Sequence, residues 1–464
     1  MTAKLPRPIG RQKEVLCLPA VGHTVVLGTA GSGKTTLAIH RAAYLANPAT
    51  DHHGRTLLVT FNKCLVAYLQ SLSGGGIPQV DVRNYHHFAR GYLANRGKMS
   101  WNAIADNNVA EDYSQRALEA VKQAGVNDPL LERPIEFIAE EFRWLSQNWI
   151  RNLDDYLNAE DDGRTGSRVP PASRRAVFTA YEQYRALRKA SGRPYDWDDL
   201  AQTVVSEFAV DGGSRFYKHV IIDEGQDFSP VMLQSLAAAI PSDGSLTFFG
   251  DMAQQIYGHK ISWRSAGLDI RDQDIWRFEQ NYRNTKQIAQ LALAIAKSRH
   301  YRGIADLIEP KSPVADGPLP ALVGFNSEGD EMRFIAAQAQ KLAQTGTVAV
   351  LFRDRDLEKQ LRIPATRLHR DLGSWPKGPG LFYGTYHSAK GLEFDSVLVP
   401  FASASRLPHP SDIEAFGDDD AAVRNTKLLY VAVTRAKSNL VLTHTGDPTP
   451  LLPLGNGLFQ RSRR

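Results

Sequence analysis

The sequence predicts an α/β fold of two parallel-sheet domains, the first of them interrupted by a helical insertion. Three observations carry this expectation. The β-branched run Thr24-Val-Val-Leu27 leads through a glycine-rich segment, residues 28–35, into an apolar helical pattern at Leu37, Ala38, Ala42 and Leu45. A second strand and helix follow at residues 56–60 and 63–72, ended by the glycine run at 73–76. Beyond Trp276 the alternation of strands and helices starts again. Successive βα units of this kind bury their strands as parallel sheet with helices on its faces.

Between the two halves of the first domain the pattern changes. From about residue 101 to 209 apolar residues recur at helical spacing, as at Ile138, Phe142, Leu145 and Trp149, and strand-like runs are scarce. The middle of this stretch, residues 160–171, is polar, rich in glycine and proline, and reads as a loop. Strands resume at His219-Val-Ile-Ile-Asp223 and Ser245-Leu-Thr-Phe-Phe249 and complete the interrupted sheet. The expected division is residues 1–100 with 210–275, an insertion at 101–209, and a second domain at 276–464. In that second domain a helix is expected near 285–298 and strands at 347–352, 381–386, 396–400 and 439–443. The Asp418-Asp-Asp420 cluster and the stretch with Pro408 and Pro410 read as a solvated loop.

A length of 464 residues leaves room for about three domains with sizeable cores. With 42% hydrophobic and 23% charged residues and no apolar run near 18, the composition excludes disordered and membrane-spanning classes. Cys17 and Cys64 are the only cysteines, which excludes a disulfide framework and a four-thiolate metal site. Residues 1–10 lack the apolar core of a signal peptide, so a reducing cytoplasm is the expected compartment. A net charge of +5 permits a polyanionic partner without requiring one.

The segment Gly28-Thr-Ala-Gly-Ser-Gly-Lys-Thr35 fits the phosphate-binding pattern G-x-x-x-x-G-K-[ST] without departure. Its glycines let backbone N–H groups close around phosphates, Lys34 neutralises the β and γ oxygens, and the Thr35 hydroxyl is a Mg²⁺ ligand. Gly28, Thr29, Ala30, Gly31, Ser32, Gly33, Lys34, Thr35 and the following Thr36 form the candidate nucleotide cradle. Phosphoryl transfer also needs an acid for the metal and a group that orients water. Val220-Ile-Ile-Asp-Glu224 ends an apolar strand in adjacent carboxylates, assigning Mg²⁺ to Asp223 and the attacking water to Glu224. Asn62-Lys63-Cys64-Leu65 lacks the acid that would recognise guanine, which favours adenine. Arginines that could reach a transferring phosphoryl group lie far downstream, at Arg283 and Arg435.

Taken in order, these segments resemble the superfamily 1 helicases of the UvrD/Rep type. Ile9-Gly-Arg-Gln12 resembles the family's Q motif, and Leu58-Val-Thr-Phe-Asn-Lys63 its motif Ia with one residue fewer. Tyr85-His-His-Phe88 resembles the next DNA-contacting motif, and Ile222-Asp-Glu-Gly-Gln-Asp-Phe228 is similar to motif II. Phe249-Gly-Asp-Met-Ala-Gln-Gln-Ile-Tyr257 resembles motif III and Glu279-Gln-Asn-Tyr-Arg283 motif IV. Tyr386-His-Ser-Ala-Lys-Gly-Leu-Glu-Phe394 and Leu429-Tyr-Val-Ala-Val-Thr-Arg-Ala436 resemble motifs V and VI.

The resemblance implies two RecA-like domains with ATP and Mg²⁺ in the cleft between them. It places Gln12 on adenine, Tyr282 with Arg41 beside it, and Glu393 with Gly391 near the ribose. Gln254 would sense the γ-phosphate, while Arg283 and Arg435 would stabilise the transferring group. Single-strand contacts would fall to Phe61, Asn62, His87, Phe88, Tyr257, Trp263, Thr385 and His387. Trp263 lies farther from Tyr257 than the family pattern has it. Members typically carry a second helical insertion before motif V; here only residues 362–381 remain, enough for a loop and one helical turn. The implied activity is a 3′-to-5′ ATP-dependent translocase or helicase on single-stranded nucleic acid, with DNA as the expected track. The rival reading is an ATPase switch or scaffold that works with a partner nuclease.

Overall fold

The computed structural model describes residues 7–464 except 9, 30, 62, 73–76, 160–168, 252–262, 265, 279–283, 302–314, 370–371, 373–374, 377 and 456. Side chains 63–65, 71–72 and 301 are likewise outside the description. Two parallel sheets organise the chain. The first contains β1 (Gly22–Gly28), β2 (Thr56–Thr60), β3 (Val80–Asn84), β4 (His219–Ile222), β5 (Ser245–Gly250) and β6 (Ile275–Phe278), in the order β3-β2-β4-β5-β1-β6. The second contains β7 (Ala321–Phe325), β8 (Thr347–Phe352), β9 (Thr366–Arg367), β10 (Gly380–Thr385), β11 (Phe394–Val399), β12 (Ala436–Thr445) and β13 (Gln460–Arg463), in the order β13-β7-β12-β11-β8-β10-β9.

Strand periodicity explains the layers. Along β1, Val25 and Leu27 enter one core while Val26 enters another, because successive side chains point to opposite faces. With helices on both faces, central strands such as β2 and β4 are buried throughout, as their unbroken apolar sequences require. The core holding Val26 continues across the cleft, since it also contains Leu392, Leu429 and Leu442 of the second sheet. Short polar caps start the helices: Asn84 accepts a hydrogen bond from His87 N at 2.8 Å and opens the helix Tyr85–Asn95.

After the helix Tyr85–Asn95, five further α-helices precede β4 among the described residues: Asn107–Gln123, Ile135–Gln147, Leu153–Leu157, Arg174–Ala190 and Leu200–Val210. The first four enclose a core of their own around Phe142, Leu145, Tyr181 and Tyr184. Leu200, Val204 and Phe208 of the last instead pack with the first sheet. A buried ion network sits where the two groups meet, with Arg188 at 2.8 Å from Asp196 and 2.5 Å from Asp199.

Two expectations are corrected. Asp418, Asp419 and Asp420 are not a loop but the solvent-facing first turn of the helix Asp418–Thr434, where the helix dipole favours carboxylates; Pro410 likewise opens the helix Pro410–Phe416. In residues 362–381 the described part forms the two-residue strand β9, paired with β10, and a turn in which Leu372 N donates to the His369 carbonyl at 3.1 Å. Trp375 in this span stacks on Phe382 at 4.9 Å and meets Tyr68 of the first domain edge-on at 5.2 Å.

His219 in β4 is fully buried, its Nδ1 2.8 Å from Ser245 Oγ and its Nε2 2.9 Å from the His52 carbonyl. Burial pulls its imidazole down from 6.5 to about 4. The unfolded chain takes up this proton first as pH falls, so the stability of the neutral ring is complete above about 6.5 and is lost toward about 4. Acid should therefore remove up to about 3 kcal/mol across that window. Urea unfolding at a series of pH values checks this, with His219→Gln expected to flatten the decline; an equally steep decline in the variant would contradict it.

Candidate active site

The glycine segment leaves β1 and turns into the helix Lys34–Leu45, as a phosphate cradle must. Gly28 and Gly33 are required for steric reasons. A Cβ on Gly28 would lie 2.4 Å from Ser32 Oγ, and Gly33 has φ 86°. Lys34 is buried, donating to the carbonyls of Gly28 and Thr29 at 2.8 Å each, with Asp251 at 3.9 Å. Gln12 donates through Nε2 to the Ser32 carbonyl at 3.0 Å and so braces the loop. Gly31 adopts φ 79°, and Thr36 is half-buried in the first helical turn.

Asp223 and Glu224 follow β4 and face this loop. Thr35 Oγ1 donates to Asp223 Oδ2 at 2.9 Å. Burial, with Glu224 alongside, pushes the Asp223 carboxyl up to about 7. Its Oδ1, the Thr29 hydroxyl and the Ser32 hydroxyl are buried without hydrogen-bond partners among the described residues. A hydroxyl and a carboxylate oxygen converging in a cradle of backbone donors fit a hard divalent cation carried by phosphate oxygens. No cluster of three or more His, Cys, Asp or Glu side chains forms a separate metal site among the described residues. Glu224 takes a left-handed backbone, φ 54°. Burial alone would raise its carboxyl, but the charges of Arg435, Lys34 and Lys390 hold it below the ordinary value.

Arg435 comes from the end of the helix Asp418–Thr434 in the second domain and is 1% exposed. Its Nε donates to Val431 O at 3.0 Å, Nη1 to Leu392 O at 3.1 Å and Nη2 to Thr434 Oγ1 at 3.1 Å. Gly391, at φ 79°, is buried beside this turn, and Glu393 pairs with Lys437 at 3.0 Å. Four residues that the motif reading left without roles complete the arrangement. Gln226 donates to Glu224 Oε2 at 2.6 Å and accepts from Asp251 N at 2.9 Å, fixing the carboxylate. Lys390 forms a buried ion pair with Asp227 across the two domains. The signals were present in Asp-Glu-Gly-Gln-Asp227 and Ala-Lys390, but spacing does not reveal partners 163 residues apart.

Arg41, expected beside the base, follows the phosphate loop in the helix Lys34–Leu45. It is fully buried, Nη1 and Nη2 donate to the carbonyls of Leu16 at 2.6 Å and Pro19 at 2.7 Å, and the guanidinium lies 5.8 Å from the centre of the Tyr44 ring. Phe88 is corrected: 6% exposed between Tyr85 and Tyr217, it is a core side chain. Phe61 is half-buried against His86 and Phe228, and His87 is exposed one turn into the next helix. Thr385 ends β10 and His387 follows it, the histidine exposed. Trp263 is half-buried and edge-on to Phe248 at 5.0 Å. Phe61 and His87 thus follow β2 and β3 while Thr385 ends β10 and His387 follows it, all at the carboxyl ends of parallel strands. Ala30, Asn62, Gln254, Tyr257, Tyr282 and Arg283 lie outside the described residues.

No helix among the described residues is long and apolar enough to cross a membrane. The family model described as UvrD/REP helicase N-terminal domain matches residues 10–278. That of the UvrD-like helicase C-terminal domain matches 276–364 and 381–446. The ATP-dependent DNA helicase UvrD2 of Mycobacterium tuberculosis is 27% identical over 371 residues, covering 74% of this chain and 51% of that protein. A probable DNA helicase of Mycoplasma pneumoniae is 25% identical over 453 residues, covering 91% and 80%. The ATP-dependent DNA helicase PcrA of Leuconostoc citreum is 25% identical over 423 residues, covering 85% and 52%. The chain spans about half the length of the UvrD2 and PcrA relatives. Matched over more than half its length by the N-terminal model, and over most of the remainder by the C-terminal one, the chain belongs to the UvrD/Rep helicase family.

Proposed function

We propose that the chain is an ATP-dependent translocase and helicase on single-stranded DNA, moving 3′ to 5′ and hydrolysing ATP with Mg²⁺ in the cleft between its sheets. The observation that carries this reading is the meeting of Lys34, the Thr35–Asp223 pair and Glu224 with Arg435 from the second domain. Thr35 and Asp223 would hold Mg²⁺, whose charge offsets that on the β- and γ-phosphate oxygens when bound. Lys34 binds the same phosphates, Glu224 accepts a proton-side contact from the attacking water, and Gln226 keeps Glu224 oriented. Because Arg435 belongs to the other sheet, the site is complete only when the domains are closed, which couples hydrolysis to movement. Relatives named as DNA helicases support DNA as the track.

The gap in the C-terminal match, between residues 364 and 381, falls on the span where typical members insert a second helical subdomain. We infer a compact form whose unassisted unwinding is weak. Steady-state ATP hydrolysis with single-stranded DNA, duplex or single-stranded RNA tests the main reading. Single-stranded DNA should stimulate strongly, and Lys34→Ala should lower the stimulated rate by about 10²–10³-fold. Hydrolysis indifferent to every polymer would sink the motor reading in favour of a switch, and processive unwinding of long duplex by the chain alone would sink the compact-form inference.

A further inference from the structure

The outer edge of the first sheet carries a surface that the nucleotide chemistry does not use. β3 ends that sheet, so one side of its backbone has no strand neighbour there. The whole strand Val80–Asn84 lines a groove of about 990 Å³. The helices Lys63–Leu72 and Tyr85–Asn95 flank it, burying Leu69 and Phe88 in the cores on opposite faces of the sheet. That volume stands at the top of the range of about 300–1,000 Å³ that holds whole ligands, and so admits a short run of chain.

The polar lining is basic. Arg83, Arg90, His86 and His87 line the groove. Asp81, also in the lining, is met by Arg55 at 3.1 Å, by the Tyr217 hydroxyl at 2.8 Å and, more distantly, by Arg83 at 4.0 Å. Arg90 has no carboxylate partner among the described residues. Trp101 also lines the groove; it is 89% exposed and makes no ring contact among the described residues. An indole held in water in this way is apolar surface available to a flat partner. The groove also continues from the strand-contact candidates, since the His86 ring lies 5.6 Å from Phe61 and 5.1 Å from Trp197.

We propose that this groove holds the single strand beyond the cleft, with Trp101 stacked on a base and Arg83 and Arg90 on phosphates. The assignment rests on the single-strand activity proposed above and adds a site to it. An extended peptide could pair with the open edge of β3. The exposed indole and the unpaired Arg90 favour a nucleic-acid strand, because every nucleotide presents a stacking face and every linkage a negative charge.

Oligo(dT) of increasing length tests it, starting from the shortest that stimulates ATP hydrolysis. At that length Trp101→Ala and the double variant Arg83→Ala/Arg90→Ala should bind like the unaltered protein. On longer oligonucleotides the unaltered protein should gain affinity, and Trp101→Ala should bind about 5- to 100-fold more weakly. The slope of log K against log salt should become shallower by about 0.7 for each arginine removed. Trp101 is 89% exposed and belongs to none of the cores, so its replacement leaves them intact. Unchanged affinity at every length in both variants would overturn the groove while leaving the motor standing. Unchanged oligonucleotide affinity with Trp101-dependent binding of a glutamate-rich peptide would overturn it in favour of a protein partner. An unaltered protein that neither binds nor responds to any oligonucleotide would remove the underlying reading as well.

Discussion

Arg435→Ala should lower DNA-stimulated ATP hydrolysis by about 10³–10⁵-fold, the range in which a single transition-state arginine acts. The guanidinium is buried and held by Val431, Leu392 and Thr434, so it is oriented before any nucleotide arrives. Such preorganisation stabilises charge as it develops without reorganising the protein at that moment. Removing the side chain also uncovers two backbone carbonyls, so thermal unfolding must be measured beside kcat. Arg435→Lys keeps the charge and most of the volume but not the planar donor fork, and should recover only part of the rate. Nucleotide affinity should change far less than kcat in both variants. A kcat for folded Arg435→Ala within tenfold of the unaltered protein would exclude the arginine from phosphoryl transfer.

Glu224→Gln should reduce kcat by about 10²–10⁴-fold, the contribution of a positioned general base. The substitution conserves shape, and Gln226 can still reach the new amide oxygen, so nucleotide binding and fold should persist. The pH profile gives a second reading of the same group. Burial opposes ionisation of Glu224, yet Arg435, Lys34 and Lys390 more than offset it, and the carboxylate is charged throughout the neutral range. The acid limb of kcat assigned to Glu224 should accordingly lie below the ordinary glutamate value near 4.3. Lys390→Met withdraws one of those charges and should move that limb to higher pH. A limb that stays in place would show that another group controls it.

Much of the nucleotide site was legible because its chemistry is local. The run Gly28 to Thr35 needs only a strand before it and a helix after it to form a cradle, and both are contiguous in the chain. Asp223 and Glu224 were legible for the same reason, at the end of an unbroken apolar strand that must be buried on both faces. The errors share a different cause. Phe88 sits in a segment that matches a functional motif, but its side chain was claimed by a tyrosine-lined core. Asp418–Asp420 read as a loop because three adjacent carboxylates repel one another; they stay in contact with solvent, and the helix they open supplies the compensating dipole.

By itself, the sequence determined the α/β class, the interrupted first domain, the phosphate loop and the paired carboxylates. Each of these depends on backbone geometry over a few consecutive residues. Only the tertiary structure decided that Gln226 braces Glu224 against Asp251, that Lys390 closes on Asp227, and that Arg435 is close enough to hold Glu224 ionised. A buried charge takes whichever opposite charge or polar atom the chain path brings within a few ångströms. That path is set by the packing of whole sheets and helices, which residue spacing along the chain does not record.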